Sequence, residues 1–507
     1  MSATDVPVSS SSAQGVTGDT RLRAGSISTV PLIFLVLAAA APMVAVVSTV
    51  PLVIGFGVGV GTPGIFLICG VTLVCFAAGY AAMSRHISNA GAFYAYIARG
   101  LGVRLGLASA YIALVAYTAI FCTVVAFFAY FAHSILDAEI GLALPWQLWA
   151  AILLVVVGTL GYNRVDLNAR VLSLVFSLEI LLLLVFSVVV LFDQGPGAFS
   201  FESFNPSNVF SGAPGVAFAF AFAVFIGFEA TAIFAEEAKD PKRTVPRATY
   251  GAVILISLFY MVTSWALISG SSDPVGGASS DPSNFAFDQI RHYLGAFGYH
   301  AAQILVLTSF AGCALGIHNA ASRYFFALGR DGVLPGALGR ANRHRSPGIA
   351  TITQITISAI IIAIFAIAGA DPYLTLGTSM AALASLGILF LQMMVCLAVI
   401  GFFGKRDDGT LWSSIVAPTL GALGMAGAIV LILVNYDLVG HTTSELLNHI
   451  PWLLVIVGVG GLAYGTYLKV SRPAKYADVA EALESDYVAE AFVEMTEPAH
   501  PRQAAAQ

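Results

Sequence analysis

Charge is what this 507-residue chain has least of. Asp, Glu, Lys and Arg make up 10% of it, against about a quarter in a water-soluble domain. It lacks a basic domain and a basic stripe interleaved with aromatics, so nucleic acid is excluded as a partner. It is also short of chemistry-bearing cysteine. The five cysteines, Cys69, Cys75, Cys122, Cys313 and Cys396, lie inside apolar runs and form no CxxC pair. No His/Cys cluster has metal spacing, and HExxH and GxSxG are missing. These absences argue against an enzyme, a metal and a cofactor, and leave the cysteines as small buried fillers.

What is present is apolar surface. Hydrophobic residues make up 58% of the chain, and the mean hydropathy is +0.86. No aqueous core hides that much, so the solvent is a lipid bilayer. The polar start, "MSATDVPVSSSSAQGVTGDT", reads as a disordered tail. The run that follows is far longer than a signal-peptide core, so no secretory signal is expected.

A helix needs about 20 apolar residues to cross a bilayer. On that basis twelve transmembrane helices are expected, at 29–56, 63–85, 104–135, 146–162, 168–192, 214–236, 248–270, 299–325, 349–369, 373–403, 412–435 and 451–469. The runs are too long and too continuous for barrel strands. An interfacial helix is expected to lead into the third, around "NAGAFYAYIARGLG". The stretch 271–298, rich in Ser, Gly, Pro and Asp, reads as the longest outside loop. "YADVAEALESDYVAEAFVE" has helix-like spacing and reads as a surface helix or a solvated tail.

With the N-terminus placed in the cytoplasm, Arg291 is the only Lys or Arg left outside. Asp137, Glu139, Asp193, Glu202, Asp273, Asp281, Asp288, Asp371, Asp437 and Glu445 fall outside with it. The positive-inside rule thus supports both the count and the orientation, with N- and C-termini cytoplasmic, and the location expected is the plasma membrane.

Two segments carry a breaker near mid-membrane. Pro42 sits in "LAAAAPMVAVVSTVP" of segment 1, and Gly227 in "FAVFIGFEATAIF" of segment 6, beside Glu229. Proline lacks an N–H and clashes with the preceding turn. A broken helix bares backbone polar groups, which is tolerated in a bilayer only where they line a cavity. Breaks at corresponding positions of two halves point to a transporter binding site. The plainer readings are a common proline kink and a packing glycine.

At this point the residues resemble the amino acid–polyamine–organocation (APC) permeases. "GFEATAIFAEEAKDPKRTVPRA" looks like the sixth-helix signature of that family. "NAGAFYAYIARGLG" is similar to its link between helices 2 and 3, and "ASRYFFALGRDGVLP" resembles the loop after its helix 8. The resemblance covers roughly residues 25–405. It implies an all-α integral membrane fold: an inverted five-plus-five helix repeat, leucine-transporter-like, with discontinuous helices 1 and 6. The implied organisation is a tail over 1–25, a transporter core over 26–405, peripheral helices 11 and 12 over 406–472 and a cytoplasmic tail over 473–507. It implies alternating-access transport of amino acids or related amines as a monomer or homodimer. Carried over by position, the substrate site comprises Ala41, Pro42, Met43 and Val44 with Phe225, Ile226, Gly227, Phe228 and Glu229, the aromatic rings acting as gates or pocket walls. Many members have a Gly/Ser-rich stretch at the first break where this chain reads "AAAAPMVAVV", so the register of the helix 1 site stays open.

Ionisable residues inside the membrane are default candidates for function. Glu229 reads as a proton or substrate residue, or as a cap on the broken helix. Glu179, in "VLSLVFSLEILLLLV", reads as a proton carrier or as an acid bonded across to helix 1 or 8. Family members without sodium dependence often place a lysine near this point. Thr308, Ser309 and Cys313 are candidates to face helix 1 at a cation site, and His318 reads as structural. Glu236 and Glu237 with Arg323 and Arg330 form a candidate cytoplasmic gate, with solvated loop charges as the alternative.

The leading function is proton-coupled amino acid uptake. An exchanger or polyamine transporter is the alternative, and a non-transporting membrane sensor the alternative of another class. Phe225, Phe228, Ile226 and Met43 lean toward a neutral apolar substrate, although a carboxylate equally recruits a cationic one.

Overall fold

A computed structural model describes residues 41–84, 86, 93–163, 169–195, 197, 200–228, 241–344, 346–406, 409–440 and 444–484. Glu229, Glu236 and Glu237 lie outside the described residues, as do 29–40 of segment 1.

Ten helical stretches among the described residues are long and apolar enough to cross a membrane. The first of these, Pro42–Met83, is two crossings, because Gly59 takes a φ of 57° and a regular α-helix resumes only at Thr62. A shorter apolar helix, Pro214–Ala223, supplies part of one more, which makes twelve in all. They are span 1 (42–58), span 2 (Thr62–Met83), span 3 (Val103–Ile140), span 4 (Trp146–Asn163), span 5 (Ala169–Gln194) and span 6 (Pro214–Ala223). The rest are span 7 (Pro241–Ser269), span 8 (296–330), span 9 (Gly348–Ile367), span 10 (Pro372–Phe403), span 11 (Trp412–Val434) and span 12 (Trp452–Ser471). Spans 1–5 and 6–10 form two halves. Five crossings are an odd number, so the second half enters the membrane from the side opposite to the first, and the two are inverted.

Burial separates the centre from the rim. The apolar window of span 3 is 83% buried by protein, while those of spans 4 and 12 are 22% buried and face outward. Span 3 contacts spans 4, 8, 10 and 12 and the short helix Phe93–Leu101, whose passage into span 3 is turned by Gly102 at φ 104°. Spans 11 and 12 pack on the outside, against spans 2 and 10 and against span 3.

The stretch expected to be the longest loop is instead largely helical. Pro274–Ser280 forms one helix and the segment from Pro282 to the bend at Gly295 (φ 68°) another. The signal was present as two Asp-Pro pairs. Asp273 accepts from the Gly276 amide at 2.9 Å and Asp281 from the Asn284 amide at 3.2 Å. A carboxylate at the N-cap with proline at the first helical position starts a helix even in Gly/Ser-rich sequence. Asp371 begins span 10 in the same way, accepting from the Tyr373 amide at 2.8 Å. The C-terminal segment Pro473–Glu484 is a helix, and its Val479 is buried.

Candidate functional site

Both expected interruptions sit where backbone geometry departs from the helix. Ala41 has φ 42° and ψ 76°, and is the only non-glycine residue with positive φ among those described. That conformation costs an L-residue about 1–2 kcal/mol. The described part of span 1 starts directly after it, with Pro42 at the first helical position and the Ala45 N–H returning to the Ala41 carbonyl at 3.1 Å. One turn later the helix widens into a π-turn, Ala45–Thr49. Its cause lies in the sequence: Pro51 has no N–H to give, and its ring crowds the carbonyl one turn back. Span 6 loses its regular ladder at Ala223. Beyond it come tight three-residue turns, Phe225 N–H to Phe222 O at 3.1 Å, Ile226 to Ala223 at 3.2 Å and Phe228 to Phe225 at 3.3 Å. Gly227, at φ 115°, occupies a backbone region that favours glycine.

A cavity lies between the two interruptions, with about 40 Å³ of space for the centres of water-sized spheres. That is room for a few waters, so this is a contracted site. Of the residues expected to line it, Val44 and Ile226 do. Phe225 and Phe228 do not. Phe225 packs on Phe66 and Tyr260 with ring centroids 6.5 and 5.8 Å apart, and Phe228 meets Phe76 edge-on at 5.9 Å. Both rings are turned back onto spans 2 and 7 and do not line this cavity. Ala41, Pro42 and Met43 are buried but do not line the cavity.

The walls come largely from residues that sequence reasoning passed over. Span 3 supplies Ile120, Thr123, Val124 and Phe127, span 8 supplies Cys313 and Ile317, and span 10 supplies Ala381. The span 3 set is spaced i, i+3, i+4, i+7, which is one helical face. Every apolar span offers such a stripe, so the spacing alone did not single this one out.

Glu179 of span 5 is fully buried. The Ser309 hydroxyl of span 8 donates to its Oε2 at 2.8 Å, and the Met43 amide in the first turn of span 1 approaches the same carboxylate. Oε1 has no hydrogen-bond partner among the described residues. The structure thus brings together Met43, Glu179 and Ser309, with Glu179 reaching across to spans 1 and 8. A carboxylate at a helix N-terminus faces the positive end of the helix dipole and amides that have no acceptor within the helix. Thr308 does not join them. It faces outward, and its hydroxyl is bound to the Ile304 and Leu305 carbonyls of its own helix at 3.2 and 2.9 Å. The expected pair of hydroxyls at a cation site is therefore not assembled. No group of three or more His, Cys, Asp or Glu with metal-holding geometry occurs among the described residues.

The two ends of the bundle differ. At the arginine-rich end Arg330 Nε lies 3.4 Å from buried Asp331, whose other oxygen accepts from the Tyr94 hydroxyl at 2.8 Å. The expected partners Glu236 and Glu237 are outside the described residues, and Arg323 is half-buried. His318 bridges span 8 to Gln354 of span 9, Nδ1 to Oε1 at 2.5 Å. At the opposite end Tyr373 donates to the Ser48 carbonyl, within the widened turn of span 1, at 2.6 Å. Tyr373 stacks on Tyr130 at 5.1 Å, and Tyr130 reaches Ser283 at 3.1 Å, which in turn binds Asp281 at 2.7 Å. Phe127 lies edge-on to Tyr373 at 5.1 Å. This roof closes the cavity on the arginine-poor side.

Comparison with known proteins agrees with this architecture. A solved structure of MhsT in complex with L-phenylalanine matches 82% of this chain and 100% of its own, with a TM-score of 0.52 and 15% identity, which bears on the fold alone. The branched-chain amino acid permease BcaP of Lactococcus lactis subsp. cremoris (strain MG1363) is 26% identical over 44% of this chain and 47% of its own length. This chain therefore spans about half of that relative. The methylthioribose transporter of Bacillus subtilis (strain 168) is 24% identical over 79% of this chain and 84% of its own. The aromatic amino acid transport protein AroP of Escherichia coli (strain K12) is 29% identical over 47% and 51%. The family model described as amino acid permease matches residues 27–460. A chain with two interrupted spans around a central cavity, matched over most of its length by that model, belongs to the amino acid permease family of the APC superfamily.

Proposed function

We propose that the protein is a secondary active transporter that takes up amino acids across the plasma membrane by alternating access, driven by protons. The proposed orientation places the arginine-rich end in the cytoplasm, following the positive-inside rule. Substrate occupies the cavity between the interruptions of spans 1 and 6. The observation that carries the reading is the place of Glu179, buried against Met43 in the first turn of span 1, where the next residue, Val44, lines the cavity.

The coupling follows from electrostatics. An ionised Glu179 is attracted to the N-terminal end of span 1, and a protonated one is not. Proton binding therefore changes the free energy of holding span 1 against spans 5 and 8. The same turn of span 1 touches the substrate space, so proton and substrate bias one movable element. Glu229, two residues beyond Gly227, is proposed as a second proton- or substrate-binding residue.

The test is Glu179→Gln in proteoliposomes. Accumulation driven by an imposed proton gradient is expected to collapse, while counterflow between substrate-loaded vesicles persists. Unaltered proton-driven accumulation removes Glu179 from the mechanism. An absence of both uptake and counterflow in the wild type, with binding retained, would favour a sensor.

A further inference from the structure

We infer that the C-terminal helix, Pro473–Glu484, is a strap that holds the arginine-rich end of the cavity shut, and that opening at this end requires it to let go. The inference rests on the alternating-access reading and adds the element that controls one of the two openings.

The cavity has a floor toward the arginine-rich end. Tyr117 lies one turn from the wall residue Ile120 on span 3, and Tyr324 two turns from Ile317 on span 8, on the same helical faces. Their ring centroids are 5.0 Å apart, and Tyr94 of the helix Phe93–Leu101 stands edge-on to Tyr324 at 6.0 Å. The Phe93 amide donates to the Tyr324 hydroxyl at 3.4 Å, and the Tyr94 hydroxyl donates to Asp331 at 2.8 Å. Tyr94, Tyr117, Tyr324 and Asp331 are all buried. The floor is thus closed by a bond between the helix that leads into span 3 and the turn that follows span 8.

The C-terminal helix touches both sides of that bond. Span 12 ends at Arg472, with φ −142° and ψ 63°, because the proline that follows disfavours the helical region in the residue before it. Pro473 then starts a new helix, and the Tyr476 N–H returns to the Arg472 carbonyl at 3.0 Å. This corner, written in the sequence, turns the chain from the rim toward the floor. Tyr476, Val479 and Ala480 share one face of the new helix. Val479 is 1% exposed, while Asp478 and Glu481 beside it are exposed. The helix packs on Phe93–Leu101, which carries Tyr94. Val479 also faces Gly332, the neighbour of Asp331: a Cβ there would stand 3.8 Å from Val479 Cγ2, an ordinary contact distance. One helix therefore bridges both partners of the Tyr94–Asp331 bond, and it cannot stay seated on both when they part.

Charge decides what the apolar face of this helix seeks. An amphipathic helix rich in Lys and Arg would lie on anionic lipid. Residues 473–484 hold Lys475 against Asp478, Glu481 and Glu484. Their net charge is negative, so an anionic leaflet repels them, and the protein floor is left as the seat for Val479.

Cys313 provides the readout. It lines the cavity, and Cys69, Cys75, Cys122 and Cys396 do not. The full-length protein, in inside-out and in right-side-out membrane vesicles, is treated with a membrane-impermeant maleimide, and labelling of each cysteine peptide is followed by mass spectrometry. Val479→Asp is expected to speed labelling of Cys313 from the arginine-rich face by about 10-fold or more, the scale set by taking one buried valine side chain from its seat, with no rise from the opposite face. Ala480→Asp, half-buried on the same helical face, should act in the same direction, and Asp478→Asn, on the exposed face, should change nothing. Unchanged labelling from the arginine-rich face in both Val479→Asp and Ala480→Asp overturns the strap. So does an equal rise from both faces with new labelling of Cys69 and Cys396, which would make the helix a support of the whole bundle. Cys313 labelling needs no transport, and wild-type counterflow is measured separately. Its absence overturns the alternating-access reading, whereas counterflow with unchanged labelling in the variants overturns the strap alone.

Discussion

Replacing Gly377 by alanine isolates the contact that holds the cavity roof in place. Gly377 has φ −63° and ψ −48°, so alanine fits the backbone without strain and improves helix propensity by up to about 1 kcal/mol. The effect is therefore steric. A Cβ at this position would stand 2.5 Å from Phe127 Cδ1 and closer still to Cε1, where carbon atoms normally keep about 3.5–4.0 Å. The ring has to move by roughly 1 Å or more to restore that separation. Tyr373, edge-on at 5.1 Å, stands on one side of it, and on the other is the cavity. The ring moves into the cavity. Overpacking of this kind costs about 1–3 kcal/mol. Charged to the loaded state, that is a loss of about 5- to 150-fold in substrate affinity. The assay is the substrate concentration that half-protects Cys313, read alongside thermal stability. Phe127→Leu in the Gly377→Ala background removes the clashing ring atoms and is expected to restore much of the affinity, a coupling that a double-mutant cycle measures. Wild-type affinity in Gly377→Ala, or strict additivity in the double variant, would refute the reasoning.

Two further expectations concern the same end of the molecule. Tyr373→Phe removes the hydroxyl from the Ser48 carbonyl, a buried bond worth about 0.5–1.5 kcal/mol net. The closed state should lose about 2- to 13-fold against the open one, and a membrane-impermeant thiol reagent added outside should label Cys313 faster by up to that factor; an unchanged rate would show the roof to be held by packing alone. Asp281 caps the helix that begins at Pro282. Burial by itself raises its pKa, but hydrogen bonds from Asn284 and Ser283 outweigh it and hold the carboxyl below its ordinary value. A depressed pKa stabilises fully above the unfolded value, about 3.9, and the gain is lost as pH falls through the folded one. Protection of the amides over residues 282–294, read against their intrinsic exchange rates, should therefore fall below about pH 4 in the wild type and show no such step in Asp281→Asn. Asp281→Ala should speed that exchange at neutral pH by the loss of a cap worth about 1 kcal/mol.

The number of spans and the two interruptions were legible because hydropathy, arginine placement and breaker residues each act locally. Facing was not. Residues 217–226, "AFAFAFAVFI", are apolar on every side, so nothing in that stretch tells which ring meets the cavity and which the scaffold. Phe225 lies in that stretch and Phe228 just beyond it, and both pack on spans 2 and 7 where the sequence had placed them at the cavity. Thr308 and Ser309 are adjacent on a helix, hence about 100° apart, and only one of them was able to face span 5. The helices at 274–280 and 282–294 were hidden by a composition that reads as loop, while their start was written in Asp273–Pro274 and Asp281–Pro282. Glu179 was visible as a lone acid in a run of leucine and valine. Its partner Met43 was not, since a backbone amide leaves no mark in the side-chain pattern.

The bond between Tyr373 and the Ser48 carbonyl also ties movement to wetting. When the roof lifts, a phenol and a peptide oxygen part company deep in protein, and each needs something else to bind. Pro51 ensures that the neighbouring turn cannot close up around the deficit, because the missing hydrogen is absent from the covalent structure itself. In the proposed alternating-access cycle, liquid follows the gate inward on each opening and is expelled on each closing. Lowering water activity outside with an impermeant osmolyte should slow the cycle even when substrate and protons are held constant.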